Sequence, residues 1–347
     1  MSRVAVIGCG RIATRGHLPA FAKAAQAGTC TLVGVCDINH ERAEAVARSY
    51  GVPAFHSAGA LLTRARPDVV SIATLPSSHR ELAVQALDAG CHVLCEKPVA
   101  IHAGEAAEMV AAAERAGRLL SICFQYRYWD EATYVRARIA AGDLGHVHSV
   151  RTWGGRVNGF PVDESHHRVA SAGGGVLTHW TIHNIDLALW LLGSPEPLTA
   201  TAFCSQRSAR VPVGVEPAIE DYAVGMVRLE GGAVLTAEAN WLQPPSSRNE
   251  GWELLGDRGA ASISPLRVWL DHDGKWVDVA PPTGTLAPCD YDMSRLIAGF
   301  LQRVAEGGPA PVSGPEILRI QRLMDALYES AASGHEVPVS PSCDRQA

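Results

Sequence analysis

The sequence predicts an α/β fold, a doubly wound parallel sheet followed by an α+β domain built on a mainly antiparallel open sheet. Three observations carry this. Over the first third, apolar strand-length runs alternate with helix-length segments. After Cys123 the texture changes to short strands separated by turns. The first strand, Val4-Ala5-Val6-Ile7, runs directly into a glycine turn and a helix with Leu18, Phe21 and Ala24 on one face. A chain of 347 residues, 47% hydrophobic and 19% charged, is long enough for two globular domains.

The turn reads Gly8-Cys9-Gly10-Arg11-Ile12-Ala13. Strand, G-x-G-x-x-A and helix together form the dinucleotide fingerprint and make the parallel sheet Rossmann-type. Gly8 allows the tight turn, Gly10 lets backbone approach a pyrophosphate, and Ala13 keeps helix and strand close. Arg11 and Ile12 open the helix, whose free N–H groups and dipole favour phosphate. A second strand, 32–36, ends in Asp37, where an acidic residue meets the adenosine ribose. An aspartate there repels a 2′-phosphate and Ile38-Asn39 follow directly, so NAD is expected over NADP; Arg42, a turn further on, is the residue that bears on this expectation.

Continuing along the chain, a helix is expected over 41–49, a short strand at 54–55 and a third long strand at 69–73. The turn Thr74-Leu75-Pro76-Ser77-Ser78-His79 leads into a helix to Ala89. Strand 92–95 ends in Glu96-Lys97-Pro98, and a helix over 102–116 precedes strand 119–123. Ligands of such sheets lie beyond the carboxyl ends of the strands, where Asp37, Thr74, Pro76, Glu96 and Lys97 all fall. The domains read as 1–123 for the dinucleotide and 124–338 for substrate binding and oligomerisation, with a loose Pro- and Ser-rich tail at 339–347. In the second domain helices are expected at 130–141, 295–305 and 316–333, and strands at 146–153, 199–204, 222–230, 233–241, 252–255, 260–263 and 268–270.

Composition excludes several classes. A net charge of −6 without any basic run argues against nucleic-acid or anionic-membrane partners. No signal-like segment precedes the first strand, and no apolar run reaches the ~18 residues of a membrane span, so a cytoplasmic protein is expected. Nine scattered cysteines, several in buried strands (Cys36, Cys95, Cys123), read as reduced core residues. Cys91 and Cys95 have no second cysteine pair nearby, and no metal is expected. Three of the 30 basic residues are lysines, which singles out Lys97.

Gly173-Gly174-Gly175 leads into one long helix over 176–192, carrying His179, His183 and Asp186 at i, i+4 and i+7 on one face. Three proton-transferring groups aligned on an apolar helix point to chemistry. A hydrogen-bonded buried cluster is the alternative.

With these motifs in place, the chain resembles the glucose-fructose oxidoreductase / inositol dehydrogenase / rhizopine-catabolism (Gfo/Idh/MocA) family of NAD(P)-dependent sugar and cyclitol oxidoreductases, over nearly its whole length. The signs are Gly8-Cys9-Gly10 with His17-Leu18-Pro19-Ala20, Ala73-Thr74-Leu75-Pro76 ending in His79, Glu96-Lys97-Pro98, and the triple glycine followed by His183 and Asp186. The resemblance implies that Lys97 lies beside nicotinamide and the substrate hydroxyl, that Glu96 contacts the nicotinamide ribose and that His183 exchanges the proton. It also implies cofactor contacts at Thr74, Pro76 and His79. Most relatives carry an aspartate four residues before the catalytic histidine, where this chain has His179. A neutral imidazole cannot hold an ammonium as firmly, so the proton role stays open among His183, His179 and Lys97. Asp186 either orients His183 or caps local polarity. Tyr126, Arg127 and Arg168, with the neighbouring His166 and His167, are further substrate contacts, with loop and surface chemistry as their alternative.

The expected function is NAD-dependent hydride transfer at a ring carbinol or ketone of a sugar, aminosugar or cyclitol, with aminoglycoside or deoxysugar biosynthesis as a setting and a homodimer or homotetramer joined through the C-terminal sheet. Three rivals fit parts of the pattern. His-x-x-x-His is zinc spacing, although Trp180 stands where a metalloprotease has its Glu. An NAD-dependent glycosidase would use the same oxidation transiently, and a non-catalytic sensor would keep only the nucleotide fold.

Overall fold

The computed structural model describes residues 1–157, 169–206, 219–244, 250–282, 284–287 and 292–339. The chain divides into two compact units, Met1–Gln125 with Tyr291–Leu318, and Tyr126–Asp290 with Arg319–Ala347. A single boundary after Cys123 is what the change of texture predicts; the structure instead returns residues 291–318 to the first unit.

The first unit holds β1 (Ser2–Ile7), α1 (Leu18–Gln26), β2 (Cys30–Cys36), α2 (His40–Tyr50), β3 (Ala54–Phe55), α3 (Ala58–Ala65), β4 (Val69–Ile72), α4 (His79–Asp88), β5 (His92–Cys95), α5 (Ala103–Ala116) and β6 (Leu120–Ile122). The strands order as β3-β2-β1-β4-β5-β6, and every pairing is parallel. The order reverses between β1 and β4, the switch point where such sheets take their ligands. Val4, Ala5, Val6, Val69, Val70, Ile72 and Val93 are wholly inaccessible, as continuous apolar runs demand of strands covered on both faces. The helices stop and start where side chains allow. Asn39 caps α2 by accepting from the Arg42 N–H at 3.0 Å, and Gly51 ends it in the left-handed region at φ 64°.

The glycine turn does not enter an ordinary helix. Residues Ala13–His17 form a π-helical turn before α1. Such turns are rare and cluster at functional sites.

The second unit contains α6 (Asp130–Ala140), β7 (Val147–Val157), α7 (Val169–Ala172), α8 (Ile182–Leu191), β8 (Pro197–Ser205), β9 (Tyr222–Leu229), β10 (Val234–Gln243), β11 (Glu250–Gly256), β12 (Gly259–Ile263), β13 (Arg267–His272) and β14 (Lys275–Asp278). Helix α9 (Ser294–Glu306) belongs to the first unit, where it lies against α1 and buries Leu296, Ile297, Phe300 and Leu301. Helix α10 (Gly314–Ser333) and β15 (Val337–Pro338) close the described chain. The sheet of the second unit orders as β14-β13-β12-β11-β7-β10-β9-β8-β15. Its neighbours are antiparallel except the central β7–β10 pair, which is parallel. Along β9, Ala223, Gly225, Val227 and Leu229 alternate with less buried Tyr222, Val224, Met226 and Arg228, the pattern of a sheet covered on one face.

The long helix expected over 176–192 is two pieces, a π-helical turn Leu177–Thr181 and then α8. The simple i, i+4 stacking of His179 on His183 is therefore corrected, because a π turn closes i→i+5 bonds and re-aims its side chains. All of α8 except Trp190 is buried, so it is a core helix of its unit.

Candidate active site

At the carboxyl edge of the first sheet, Gly8 adopts φ +96°, and a Cβ there would collide with Ala73 O. Its N–H donates to Cys36 O at 2.8 Å, closing the turn. A Cβ added at Gly10 would meet nothing within 4 Å, so the backbone there borders open space, the cradle a pyrophosphate requires. Ala13 is fully buried, Arg11 exposed and Ile12 half-buried. These residues fit a dinucleotide.

Asp37 stands at the end of β2 as expected, but its carboxylate is already engaged. Oδ2 accepts from Cys9 N–H at 2.8 Å and Arg42 Nε at 3.0 Å; Oδ1 accepts from Asn39 N–H at 2.8 Å and Arg42 Nη2 at 3.0 Å. Burial raises its pKa, yet the bonds from Arg42, Asn39 and Cys9 outweigh burial and hold the carboxyl below its ordinary value. A ribose hydroxyl must share these oxygens with Arg42.

Thr74 accepts from Ser78 Oγ at 2.8 Å, and Pro76 is buried. His79 is wholly inaccessible, with Nδ1 2.9 Å from Pro98 O and Nε2 3.2 Å from Thr74 O. Burial lowers its pKa, favouring the neutral ring with Nδ1–H donating to Pro98. It braces the turn from within.

Glu96 faces inward. Oε1 lies 2.8 Å from His17 Nε2, and Oε2 accepts from Lys97 N–H at 3.1 Å. His17 Nδ1 lies 2.7 Å from Ser71 Oγ. Burial pushes the Glu96 carboxyl up, but the His17 bond first, and then the Lys97 charge, reverse this and leave it below its usual value. Among the described residues, His17, Glu96 and Cys123 form a group whose ligand-type atoms lie within 4.8 Å. The His17 and Glu96 atoms bond to each other, and Cys123 donates to Glu96 with its thiol pushed well up by burial.

In the second unit, His179 lies in the π turn and His183 is the second residue of α8. Tyr126 stacks on His183 with centroids 4.8 Å apart, and on Trp129 at 3.9 Å. Trp252 meets both rings edge-on. His179 meets Trp241 edge-on at 5.9 Å. Arg127 donates to both Asp186 oxygens, at 2.9 and 2.6 Å, as a buried bidentate pair. Asn184 ties α8 to β7 through Thr152 Oγ1 at 2.9 Å and Trp153 O at 3.0 Å, and Trp252 Nε1 donates to Asn184 O.

Glu220 fastens the N-terminal end of this helix. It accepts from Gly175 N–H at 2.8 Å, Leu177 N–H at 3.0 Å and Tyr328 O–H at 2.8 Å. Burial raises its carboxyl pKa against these neutral donors. Glu250 accepts from Tyr126 O–H at 2.9 Å, and burial raises its pKa too. Neither glutamate has a local sequence signal, because each reaches its partners across more than 40 residues. Arg168, His166 and His167 lie outside the described residues.

Known proteins resemble this chain over nearly its whole length. The family described as "Oxidoreductase family, NAD-binding Rossmann fold" matches residues 2–124, and the GFO/IDH/MocA C-terminal domain matches 132–262. D-glucoside 3-dehydrogenase of Escherichia coli (strain K12) is 29% identical, over 96% of this chain and 97% of its own. Levoglucosan dehydrogenase in complex with NADH superposes with a TM-score of 0.86 at 24% identity, covering 98% of this chain and 99% of its own. GenD2 from gentamicin A biosynthesis, in complex with NAD, gives 0.81 at 24%, covering 97% and 96%. With the fingerprint, the strand order and both domain matches in agreement, the chain belongs to the GFO/IDH/MocA family of NAD-binding oxidoreductases, whose members include sugar and inositol dehydrogenases.

Proposed function

We propose that the chain is an NAD-dependent dehydrogenase or ketoreductase acting on a ring carbinol or ketone of a sugar, aminosugar or cyclitol. The observation that carries this is Glu96-Lys97-Pro98 at the carboxyl end of β5, on the same rim as the Gly8-Cys9-Gly10 turn. The likeness to D-glucoside 3-dehydrogenase makes the 3-hydroxyl of a hexopyranoside the first position to test, and substrates of aminoglycoside and deoxysugar biosynthesis the next.

Gly8, Gly10, Arg11, Ile12 and Ala13 would hold the pyrophosphate and Asp37 the adenosine ribose, with Thr74, Pro76, Glu96 and Lys97 along the nicotinamide side. When bound, the nicotinamide accepts or returns the hydride. His183 takes up or gives back the carbinol proton, as an imidazole can in both directions. The Tyr126 ring against it restricts its rotation. The Lys97 ammonium opposes the negative charge that develops on the carbinol oxygen. His179 serves substrate recognition, offering one donor and one acceptor where relatives place a carboxylate. Arg127 acts through Asp186 as a brace of α8; Tyr126 and Arg168 complete the substrate side.

The open face of the second sheet supports a homodimer or homotetramer, since Phe203 and Met226 stand on it 49% and 36% exposed. Light scattering on wild type and on Phe203→Asp with Met226→Asp tests this; a monomeric wild type ends it. The enzyme reading is tested by following NADH formation with methyl hexosides, inositols and aminosugars. Turnover of none of them refutes it, and release of an aglycone without net NADH establishes the glycosidase instead.

A further inference from the structure

We propose that His17 is a positioning residue of the hydride-transfer site, holding the Glu96 carboxylate and, through it, the backbone of Lys97. The inference rests on the role proposed for Lys97.

The geometry forms a line. Ser71 Oγ lies 2.7 Å from His17 Nδ1, His17 Nε2 lies 2.8 Å from Glu96 Oε1, and Glu96 Oε2 takes the Lys97 N–H at 3.1 Å. A carboxylate can only accept, so Nε2 carries a ring proton. The next residue is clamped independently, since His79 Nδ1 donates to Pro98 O at 2.9 Å. Residues 96–98 are therefore held by two wholly inaccessible histidines, one on each side of Lys97.

Core packing does not account for this. Ser71 and His17 are both 0% exposed, and a buried polar chain is tolerated only because its members hydrogen-bond one another, an arrangement that apolar side chains would not need. Nor is it a hydrolytic relay, because Ser71 sits in β4 between β1 and β5 with no access for a substrate. His17 ends the π-helical turn that follows the glycine cradle, so the segment leaving that cradle also grips the carboxylate beside Lys97.

The groups facing Glu96 are His17 from the π turn, His79 from α4, Lys97 beside it, Cys95 from β5 and Cys123 after β6. Burial alone would push the Glu96 carboxyl up, and the His17 bond is foremost among the influences that hold it down. Without His17 the carboxyl titrates upward, and on protonation it no longer presents a negative charge next to Lys97.

The test uses the full chain as wild type, His17→Leu, His17→Gln and Ser71→Ala. Two quantities are read from about pH 3 to pH 8, kcat with NAD and the best polyol, and the melting midpoint of the cofactor-free protein. His17→Leu should lose up to about tenfold in kcat at the acid end of the range, and the deficit should vanish toward neutral pH because its acid limb has moved upward by about one pH unit. His17→Gln keeps an N–H near the Nε2 position and should recover most of the loss. The midpoint gap follows from the sign of the shift. Glu96 titrates lower when folded, so its stabilisation is present above the unfolded pKa and lost as pH falls through the folded one. The gap between His17→Leu and wild type should thus be widest at neutral pH and close as pH falls.

A pH-independent loss in His17→Leu, or a His17→Gln no better than the leucine variant, overturns the proposal. If His17→Leu does not fold, Ser71→Ala decides: a smaller shift of the acid limb in the same direction supports the chain, and an unchanged profile refutes it. If wild type turns over no polyol, the enzyme reading fails, and the midpoint profiles still decide whether His17 controls Glu96.

Discussion

The two units each fasten a π-helical turn bearing a histidine by means of a buried glutamate, and they do so in opposite ways. In the first, the His17 ring itself grips Glu96, and neighbouring charges keep that carboxyl below its ordinary pKa. In the second, Glu220 takes two peptide N–H groups and the Tyr328 hydroxyl, burial dominates, and the carboxyl is pushed up. Both carboxylates accept several bonds. What differs is the partners: the His17 bond and nearby charge hold Glu96 down, whereas the neutral donors to Glu220 do not offset its burial. His179 lies against Trp241.

If the first turn serves charge, its end point should be the most sensitive position in the molecule. Lys97→Ala should lose at least ~10²-fold in kcat while NADH binding, read by fluorescence, stays close to wild type. Unchanged turnover removes Lys97 from the mechanism. For the second turn, His183→Ala should lose roughly 10²-fold in kcat, the usual worth of a positioned base, whereas His179→Ala should chiefly raise KM. Equal kcat losses with KM unmoved would make the two histidines a single relay.

The cap itself should affect stability more than chemistry. Glu220→Ala leaves buried N–H groups unsatisfied and should cost about 1–3 kcal/mol in denaturant unfolding. Because Glu220 titrates higher when folded, wild-type stability should fall as pH rises from its unfolded value through the folded one, and the alanine variant should flatten that decline. A variant that follows the wild-type slope would contradict the contrast between the two acids.

The smallest expected effect concerns the cofactor. Wild type should favour NAD over NADP in kcat/KM, and Asp37→Ala should narrow the ratio by roughly tenfold, the worth of one charged hydrogen bond. Arg42→Ala should widen it by about threefold, since Arg42 is the cation a 2′-phosphate would recruit. A wild-type preference for NADP would sink this expectation.

Much of the first unit was legible because its determinants are local. A glycine that must adopt positive φ, apolar runs buried on both faces and an acid at a strand end are written within a few residues of one another. Helix α3 lacked so plain a signal; its cap is the single bond from Ala60 N–H to Ser57. The strands of the second unit were found by alternation, apart from β14, whose Lys275-Trp276-Val277-Asp278 is exposed throughout, and the two-residue β15. What could not be read depends on distant partners. Nothing near Glu220 names Tyr328, and the histidine spacing of 179 and 183 reads as α-helical until the π turn intervenes.

The return of residues 291–318 to the first unit governs how this protein can be dissected. A nucleotide-binding fragment ending at Gln125 would bare the side of α1 that α9 covers, including the contact of Gly16 with Met293, and would leave the Ser121 hydroxyl without the Val312 N–H it accepts. Leu296, Ile297 and Phe300 show that the missing side of that interface is oily, so the severed fragment would present a sticky strip and tend to self-associate. Modular grafting of this nucleotide domain onto another catalytic partner therefore has to carry two pieces of chain, not one.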